Sequence, residues 1–420
     1  MSHKLIVVSM DAMFADDLIY LGQKPSFGYL LEHCAMVKGV KSIYPTLTYP
    51  CHAAMATGCF PKKHGVVNNT HFVPGDASPR WLWYHDAYRV RDLHDACKEK
   101  GLTTASIGWP STGKHPHVDY LVDEIAATTA TTDETFRRDY LLTGTTPALW
   151  DAACAPHIHL RTREKNVTKF NAAVCCEIIR QFSPDLVTLH VGEPDHCRHI
   201  YGIASKKIDS ALDLCEQILT DILQAIRESG CEDIYNLVLT ADHCQMDVKR
   251  TACPNVLFAA AGLLSLDKEG SVIDWRAWSH ETGMSATVYV HDPADEPLVY
   301  DLLQANVTQL GCQRIYTREE ASAEGFAGNF AFVLETDGQT QFADHWDTPI
   351  LVPVGHPRGS HGFHPDKGHR HPLLAIGPAF AESAVLQEAH LVDGAPTWAK
   401  VLGVSLPDAD GRILSELLSE

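Results

Sequence analysis

Six side chains of this 420-residue chain could hold metal ions, and a seventh could act as a nucleophile beside them. Asp11, Asp195, His199, Asp242, His243 and His361 supply three carboxylates and three imidazoles. That mixture of hard and borderline donors suits zinc, with manganese or iron as alternatives. Thr48 lies in the segment Tyr44-Pro45-Thr46-Leu47-Thr48-Tyr49-Pro50-Cys51-His52, where prolines bracket a threonine ahead of a helix-forming stretch that reaches Gly58. A hydroxyl at a helix N-terminus sits where backbone N–H groups and the helix dipole favour negative charge. It is a weak nucleophile unless a metal stabilises the alkoxide.

Each residue also has a plainer role. An Asp after a strand is commonly a turn or helix-capping residue. An isolated Asp-x-x-x-His pair is usually two solvated groups on one helix face, and with 24 histidines several must be irrelevant. On its own segment, Thr48 fits an N-cap better than a nucleophile. The order of the segments separates these readings. Asp11 follows the apolar run 5–10, Asp195 follows 185–191, and Asp242 and His243 follow 235–240, while His361 sits in a glycine-rich loop ahead of 373–376. Ligands in open α/β sheets bind outside the carboxyl ends of the strands, so these residues can share one crevice.

The elements that must position them follow from periodicity. Continuous apolar runs at 5–10, 103–109, 185–191, 235–240 and 373–376 predict buried strands. An apolar stripe of Ile208, Leu212, Cys215, Ile218, Leu219, Ile222, Leu223 and Ile226 predicts a helix over 204–229. Strands alternating with helices imply an α/β fold, with a mostly parallel central sheet flanked by helices on both faces. Residues 244–354 break the rhythm with short segments at 271–273 and 286–290 and a helical pattern at 297–310. They read as an inserted α+β cap subdomain, leaving 1–243 and 355–420 as the core.

The formal net charge of −19 argues against non-specific binding to nucleic-acid polymers. It also repels anionic substrates at long range, unless bound cations reverse the field locally. The 13 cysteines show no C-x-x-C pair and read as reduced thiols. The amino terminus passes straight into a strand-like run without a leader-type apolar segment, and no apolar stretch approaches the ~20 residues of a membrane span. Cytoplasmic location is the default expectation.

With these motifs in view, the chain resembles the alkaline phosphatase superfamily, and within it the nucleotide pyrophosphatase/phosphodiesterase family. Pro45-Thr46-Leu47-Thr48-Tyr49-Pro50-Cys51-His52 is similar to P-T-x-T-[FY]-P-x-H. Phe60-Pro61-Lys62-Lys63-His64-Gly65-Val66-Val67-Asn68-Asn69 is similar to Y-P-x-x-H-G-I-x-x-N. Glu193-Pro194-Asp195 with His199 and Tyr201-Gly202, Ala241-Asp242-His243, and His361-Gly362-Phe363 match further family motifs in the expected order.

The resemblance implies an alkaline-phosphatase-like core, an enzyme that cleaves phosphate esters, and two divalent cations, most simply zinc. One cation would be held by Asp11, Asp242 and His243 with the Thr48 oxygen, the other by Asp195, His199 and His361. Thr48 would form a covalent phospho-threonine that water then hydrolyses. Asn69 would donate to a phosphoryl oxygen, and Tyr49, Trp81, Trp83, Tyr84 and Trp109 are candidates to stack on a leaving group.

The chain departs from the family at Cys51, at Cys244-Gln245 and at His364, which bear on the support of the site. His356, His364, His369 and His371 compete with His361 for the last ligand position. The substrate expected is a small phosphate ester or nucleotide-like molecule, first of all a diester or pyrophosphate. A monoester or a phosphonate such as phosphonoacetate is the alternative, and would need extra cations from among Arg89, Arg91, Lys114, Arg358, Lys367 and Arg370. A sulfatase would need a C-x-P-x-R segment, which Cys51-His52-Ala53-Ala54-Met55 lacks. A non-catalytic metal-binding scaffold would be marked by a lost ligand or nucleophile, and none is lost.

Overall fold

The computed structural model describes residues 3–419 apart from 77, 126–127 and 357. Met1 and Ser2 of the amino-terminal run therefore lie outside the described residues. Eight strands form the main sheet: β1 (Lys4–Met10), β2 (Ala35–Lys41), β3 (Thr104–Ile107), β4 (Tyr120–Val122), β5 (Leu186–Val191), β6 (Tyr235–Thr240), β7 (His371–Ile376) and β8 (Val385–His390). Their spatial order is β8-β2-β7-β6-β1-β5-β3-β4. Every pairing is parallel except those of β7, which runs antiparallel to both β6 and β2.

The alternation of β1 explains its burial on both faces. Ile6, Val8 and Met10 pack with α2 (Val167–Phe182) and α4 (Ile208–Glu228) in one apolar cluster. Leu5 and Val7 point the other way, toward Met55 of α1 (Thr48–Thr57) and Trp398 of α5 (Gly394–Leu402). Each fully buried aliphatic chain of this kind is worth about 1.5–3 kcal/mol.

Two expected boundaries move. The strand read over 103–109 ends at Ile107, because Gly108 turns the chain at φ 61° and Asn171 packs where a Cβ would stand. The helix read over 204–229 begins at Ile208, since Ile208 N–H donates to Ser205 O in a preceding turn.

Between residues 246 and 360 the chain builds smaller sheets instead of main-sheet strands. The largest is antiparallel, in the order Ala277–Glu281, Ser285–Val290, Phe332–Thr336, Cys312–Thr317. The helix read near 297–310 spans Glu296–Ala305 and closes one side of this apolar cluster through Val299 and Leu303.

Register sets the site. Met10 lies opposite Val191 and Ser9 opposite Thr240. The carboxyl ends of β1, β5 and β6 are therefore level, and the residues after them emerge on one edge.

Candidate active site

Asp11 leaves β1 directly, its N–H donating to Val191 O, and its own carbonyl accepts from Asp195 N–H. Asp195 is the first residue of α3 (Asp195–Tyr201), so His199 lies one turn on, with Nε2 3.3 Å from Asp195 Oδ2. His361 Nε2 approaches Asp195 Oδ1 at 3.8 Å. These three form an outer group whose donor atoms lie within 4.8 Å of one another. Asp11, Asp242 and His243 form an inner group on the same criterion. His243 Nε2 stands 3.4 Å from Asp11 Oδ1, 3.3 Å from Asp242 Oδ2 and 3.2 Å from Thr48 Oγ1. The rings of His243 and His361 stack at 3.9 Å between centroids, which brings the two groups side by side.

Neighbouring atoms fix which nitrogen each ring presents. His199 Nδ1 donates to Gly359 O at 2.9 Å and His361 Nδ1 to Thr46 O at 3.0 Å, leaving Nε2 of both toward Asp195. Such outer contacts select the tautomer a metal needs. Burial pushes His243 and His361 down to about 3, into the neutral form that ligates. Burial, together with the charges of Asp195 and Asp242, pushes the Asp11 carboxyl well above its ordinary range. Asp195 moves the other way: burial opposes ionisation, but the charge and hydrogen bond of His199 hold it well below the usual carboxylate range.

Thr48 is the first helical residue of α1, not its cap; Leu47 occupies the capping position. Its hydroxyl is therefore not used as a cap, and the expectation of a plain N-cap threonine fails. Asn69 Oδ1 accepts from Tyr49 N–H at 2.9 Å, which orients its amide beside the same helix start. Thr48, Asn69, Asp195, His199 and His361 all line one cleft of about 680 Å³. Trp81, Trp346 and Arg358 form parts of its wall.

Burial removes two residues from the expected stacking set. Tyr49 and Trp109 are fully buried. The Tyr49 hydroxyl donates to Glu124, and Trp109 packs edge-on against His52 at 4.8 Å. Trp81, which touches the Tyr49 ring at 5.3 Å, is the member of that expected set that lines the cleft. Of the competing histidines, His369 stacks on Phe14 and His364 lies against Tyr44. His371 is buried beside Thr240.

Three supporting residues were not legible as such. His190 Nε2 lies 3.0 Å from Asp11 Oδ2. His52 Nδ1 donates to Thr48 O at 2.8 Å. Gln245, one of the departures from the family pattern, donates to the Asp195 carboxylate. His190 alternates with apolar residues in β5, a polar break in a buried strand that was the available signal.

The model of the type I phosphodiesterase/nucleotide pyrophosphatase family matches residues 5–364. The chain belongs to this family. A human bis(5'-adenosyl)-triphosphatase is 23% identical over 418 residues, covering 96% of this chain and 78% of the relative. A venom phosphodiesterase of Macrovipera lebetinus is 23% identical over 256 residues, covering 57% of this chain. The chain spans about a quarter of the length of the venom phosphodiesterases it matches. Murine ectonucleotide pyrophosphatase/phosphodiesterase 5, solved as an inactive threonine-to-alanine variant with AMP, superposes with a TM-score of 0.72 at 19% identity. That match covers 99% of this chain and all of the other, and the fold is the alkaline-phosphatase-like α/β fold. Among the described residues, no helix is long and apolar enough to cross a membrane.

Proposed function

We propose that the chain hydrolyses phosphodiester or pyrophosphate bonds of small nucleotide-like molecules, with two divalent cations and Thr48 as the nucleophile. The observation that carries this reading is Thr48 Oγ1, which faces the cleft 3.2 Å from His243 Nε2 at the junction of the two His/Asp groups.

The residues fit a pair of cations. Asp11 Oδ1 and Asp242 Oδ2 are buried without hydrogen-bond partners, and three crowded carboxylates need positive charge. Asp11, Asp242 and His243 would hold one ion and Asp195, His199 and His361 the other, with zinc the best match to the donors. Bound there, such ions neutralise the carboxylates and lower the pKa of a neighbouring hydroxyl.

Thr48 Oγ1 gives up its proton and bonds to phosphorus as the bond to the leaving oxygen breaks, and the leaving oxygen takes up a proton. Water then attacks the phospho-threonine, the P–Oγ1 bond breaks, and Thr48 regains its proton. Asn69 Nδ2, held by the Tyr49 N–H on its Oδ1, stabilises the charge that develops on the phosphoryl oxygens. Trp81 offers an aromatic face to a base.

The wall favours a diester over a monoester. Of the six cationic side chains that a dianion could use, Arg358 alone lines the cleft among the described residues, beside Glu281, Asp344 and Asp347. The relatives support a nucleotide-like substrate: one is solved with AMP and another is named for a dinucleoside triphosphate.

Thr48→Ala should lower turnover of a p-nitrophenyl nucleotide diester by at least about a thousandfold, the scale of a lost nucleophile, while retaining bound metal. Wild-type activity in that variant would exclude the covalent route. In the wild type, the diester should be cleaved faster than p-nitrophenyl phosphate; the reverse order would favour the monoester reading.

A further inference from the structure

A second His/Asp constellation lies outside the cleft. The helix Leu93–Glu99 starts with a capping box in which Asp92 Oδ1 accepts from Asp95 N–H and Asp95 Oδ2 accepts from Asp92 N–H. That reciprocal pair uses one oxygen of each carboxylate and turns Asp92 Oδ2 and Asp95 Oδ1 toward the histidines, where Asp95 Oδ1 is also met by His117 Nδ1 at 2.6 Å. Two histidines from separate segments meet them there. His115 Nε2 is 3.0 Å from Asp92 Oδ2 and 3.9 Å from Asp95 Oδ1. His85 Nε2 is 3.7 Å from Asp92 Oδ2. One donor atom from each of His85, Asp92, Asp95 and His115 lies within 4.8 Å of every other.

Two polar atoms at this place have no partner. His85 Nε2 is buried and makes no hydrogen bond, although it faces a carboxylate. His94 is completely buried, and its Nδ1, 3.8 Å from Asp92 Oδ2, also lacks a partner. Buried nitrogens are normally satisfied, so two orphans around one carboxylate indicate a missing positive centre. The alternative is a purely ionic network, with a proton on His115. That alternative pairs His115 with Asp92 and His117 with Asp95, but leaves His85 Nε2 without a hydrogen bond, 3.7 Å from Asp92 Oδ2.

We infer that His85, Asp92, Asp95 and His115 form a further divalent-cation site, of the zinc type, separate from the two groups that flank Thr48. Two imidazole nitrogens and two carboxylate oxygens are a donor set that a structural zinc takes, and two negative charges match the ion's. Donors now within 4.8 Å need move by less than about 1 Å each to reach the 2.0–2.2 Å ligand distances of zinc. The His85 side chain is one-fifth exposed, which leaves a route for entry.

The site would act as a cross-link. His85 N–H donates to Gly113 O and Gly113 N–H to Trp83 O, so the segment carrying Trp81 and Trp83 already pairs with the loop that holds Trp109 and His115. A cation shared by His85, His115 and the start of the 93–99 helix would lock these three segments, and with them the cleft wall at Trp81.

The test is a difference in metal content. His85 makes no side-chain hydrogen bond through Nε2, so His85→Ala leaves the hydrogen-bonding of the fold intact. The full-length wild type and H85A are stripped with chelator, reloaded with zinc, desalted and analysed by elemental mass spectrometry. The wild type should carry one more zinc per chain than H85A, whatever number the Thr48 centre holds, and zinc should raise its Tm by more. Crystals of the zinc-loaded wild type should give an anomalous peak at the zinc edge among the four residues. This second measurement stands if H85A fails to fold. Equal zinc content in the two proteins, or no anomalous peak there, overturns the inference. Loss of zinc only at the Thr48 groups would instead fault the reading of the cleft and leave this site standing.

Discussion

The inner and outer His/Asp groups share a chemistry but not a setting. Asp242 and His243 have no solvent exposure and Asp11 has 4%, whereas the side chains of Asp195, His199 and His361 are 14%, 31% and 8% exposed. The inner group hangs on the ends of β1 and β6, two neighbouring strands of the main sheet. The outer group depends on α3 and on the loop before β7. Their electrostatics diverge accordingly: Asp11 is driven toward its neutral form, while Asp195 is held ionised by His199. A buried carboxylate cluster of this kind is in tension until a cation arrives, and a carboxylate already compensated by a neighbouring imidazole is not. The inner group is thus built into the core, and the outer group into the cleft.

The sharpest way to break this contrast is a pair of substitutions. Asp242→Asn and His199→Ala should each lower turnover about a thousandfold or more, on the scale of lost metal chemistry. Only Asp242→Asn should also cost stability, by about 1–3 kcal/mol for disturbing a fully buried polar network. Urea unfolding of both variants in the presence of zinc checks this. Equal destabilisation by the two would erase the distinction between core and cleft.

Asn69→Ala should slow turnover about a hundredfold with little change in KM, the loss expected for one donor aimed at developing charge. Steady-state kinetics with metal content held equal is the measurement. A KM effect alone would assign Asn69 to ground-state binding.

Trp81→Ala should raise KM for a nucleotide p-nitrophenyl ester about fivefold, near the ~1 kcal/mol of an aromatic contact, and leave a p-nitrophenyl methyl ester unaffected. Tyr49→Phe, away from the cleft, should show no such substrate dependence.

The smallest effect concerns Glu124, which lies behind the cleft wall and accepts from the Tyr49 hydroxyl. Burial pushes its carboxyl up to about 7, against an opposing hydrogen bond from Tyr49. The folded state therefore holds this proton more tightly than the unfolded chain. Between pH 4.5 and about 7 its contribution to stability falls as pH rises. Glu124→Gln removes that dependence. It should stabilise the protein by about 1 kcal/mol at pH 8, allowing for partial exposure of the group, and give no gain at pH 4, as read from thermal melts. A gain that is the same at both pH values would refute the assignment.

The legible part of this molecule was the part governed by continuous burial. The runs that became β1, β5 and β6 are apolar because helices cover both faces, and Asp11, Asp195 and Asp242 could be placed from them. β2 was missed because Lys38 and Gly39 interrupt it, and β8 because an edge strand reading Val-Leu-Gln-Glu-Ala-His is mostly exposed. Three-residue β4 carries too little pattern to read. Aromatic type did not reveal aromatic placement: Trp81, Trp109 and Tyr49 looked alike as stacking candidates, and only packing distinguishes them. The constellation at His85, Asp92, Asp95 and His115 escaped for a similar reason. Its Asp-x-x-Asp cap and His-Pro-His turn are visible, but nothing in their spacing brings them together.

The loop that delivers His361 is clasped from two sides. Gly362 N–H donates to Thr46 O, one residue before the cap of α1, while Met284 N–H donates to His361 O and Ser285 Oγ to Gly362 O. Gly362 sits at φ 93°, and a Cβ there would meet Thr282 O at 1.7 Å, so no larger residue fits this crossing. One imidazole is in effect riveted both to the segment that bears Thr48 and to the antiparallel sheet that overhangs the cleft. Remodelling the overhang to admit a bulkier substrate would therefore tug on Asp195, His199 and His361, so that the shape of the cleft and the geometry of this group cannot drift independently.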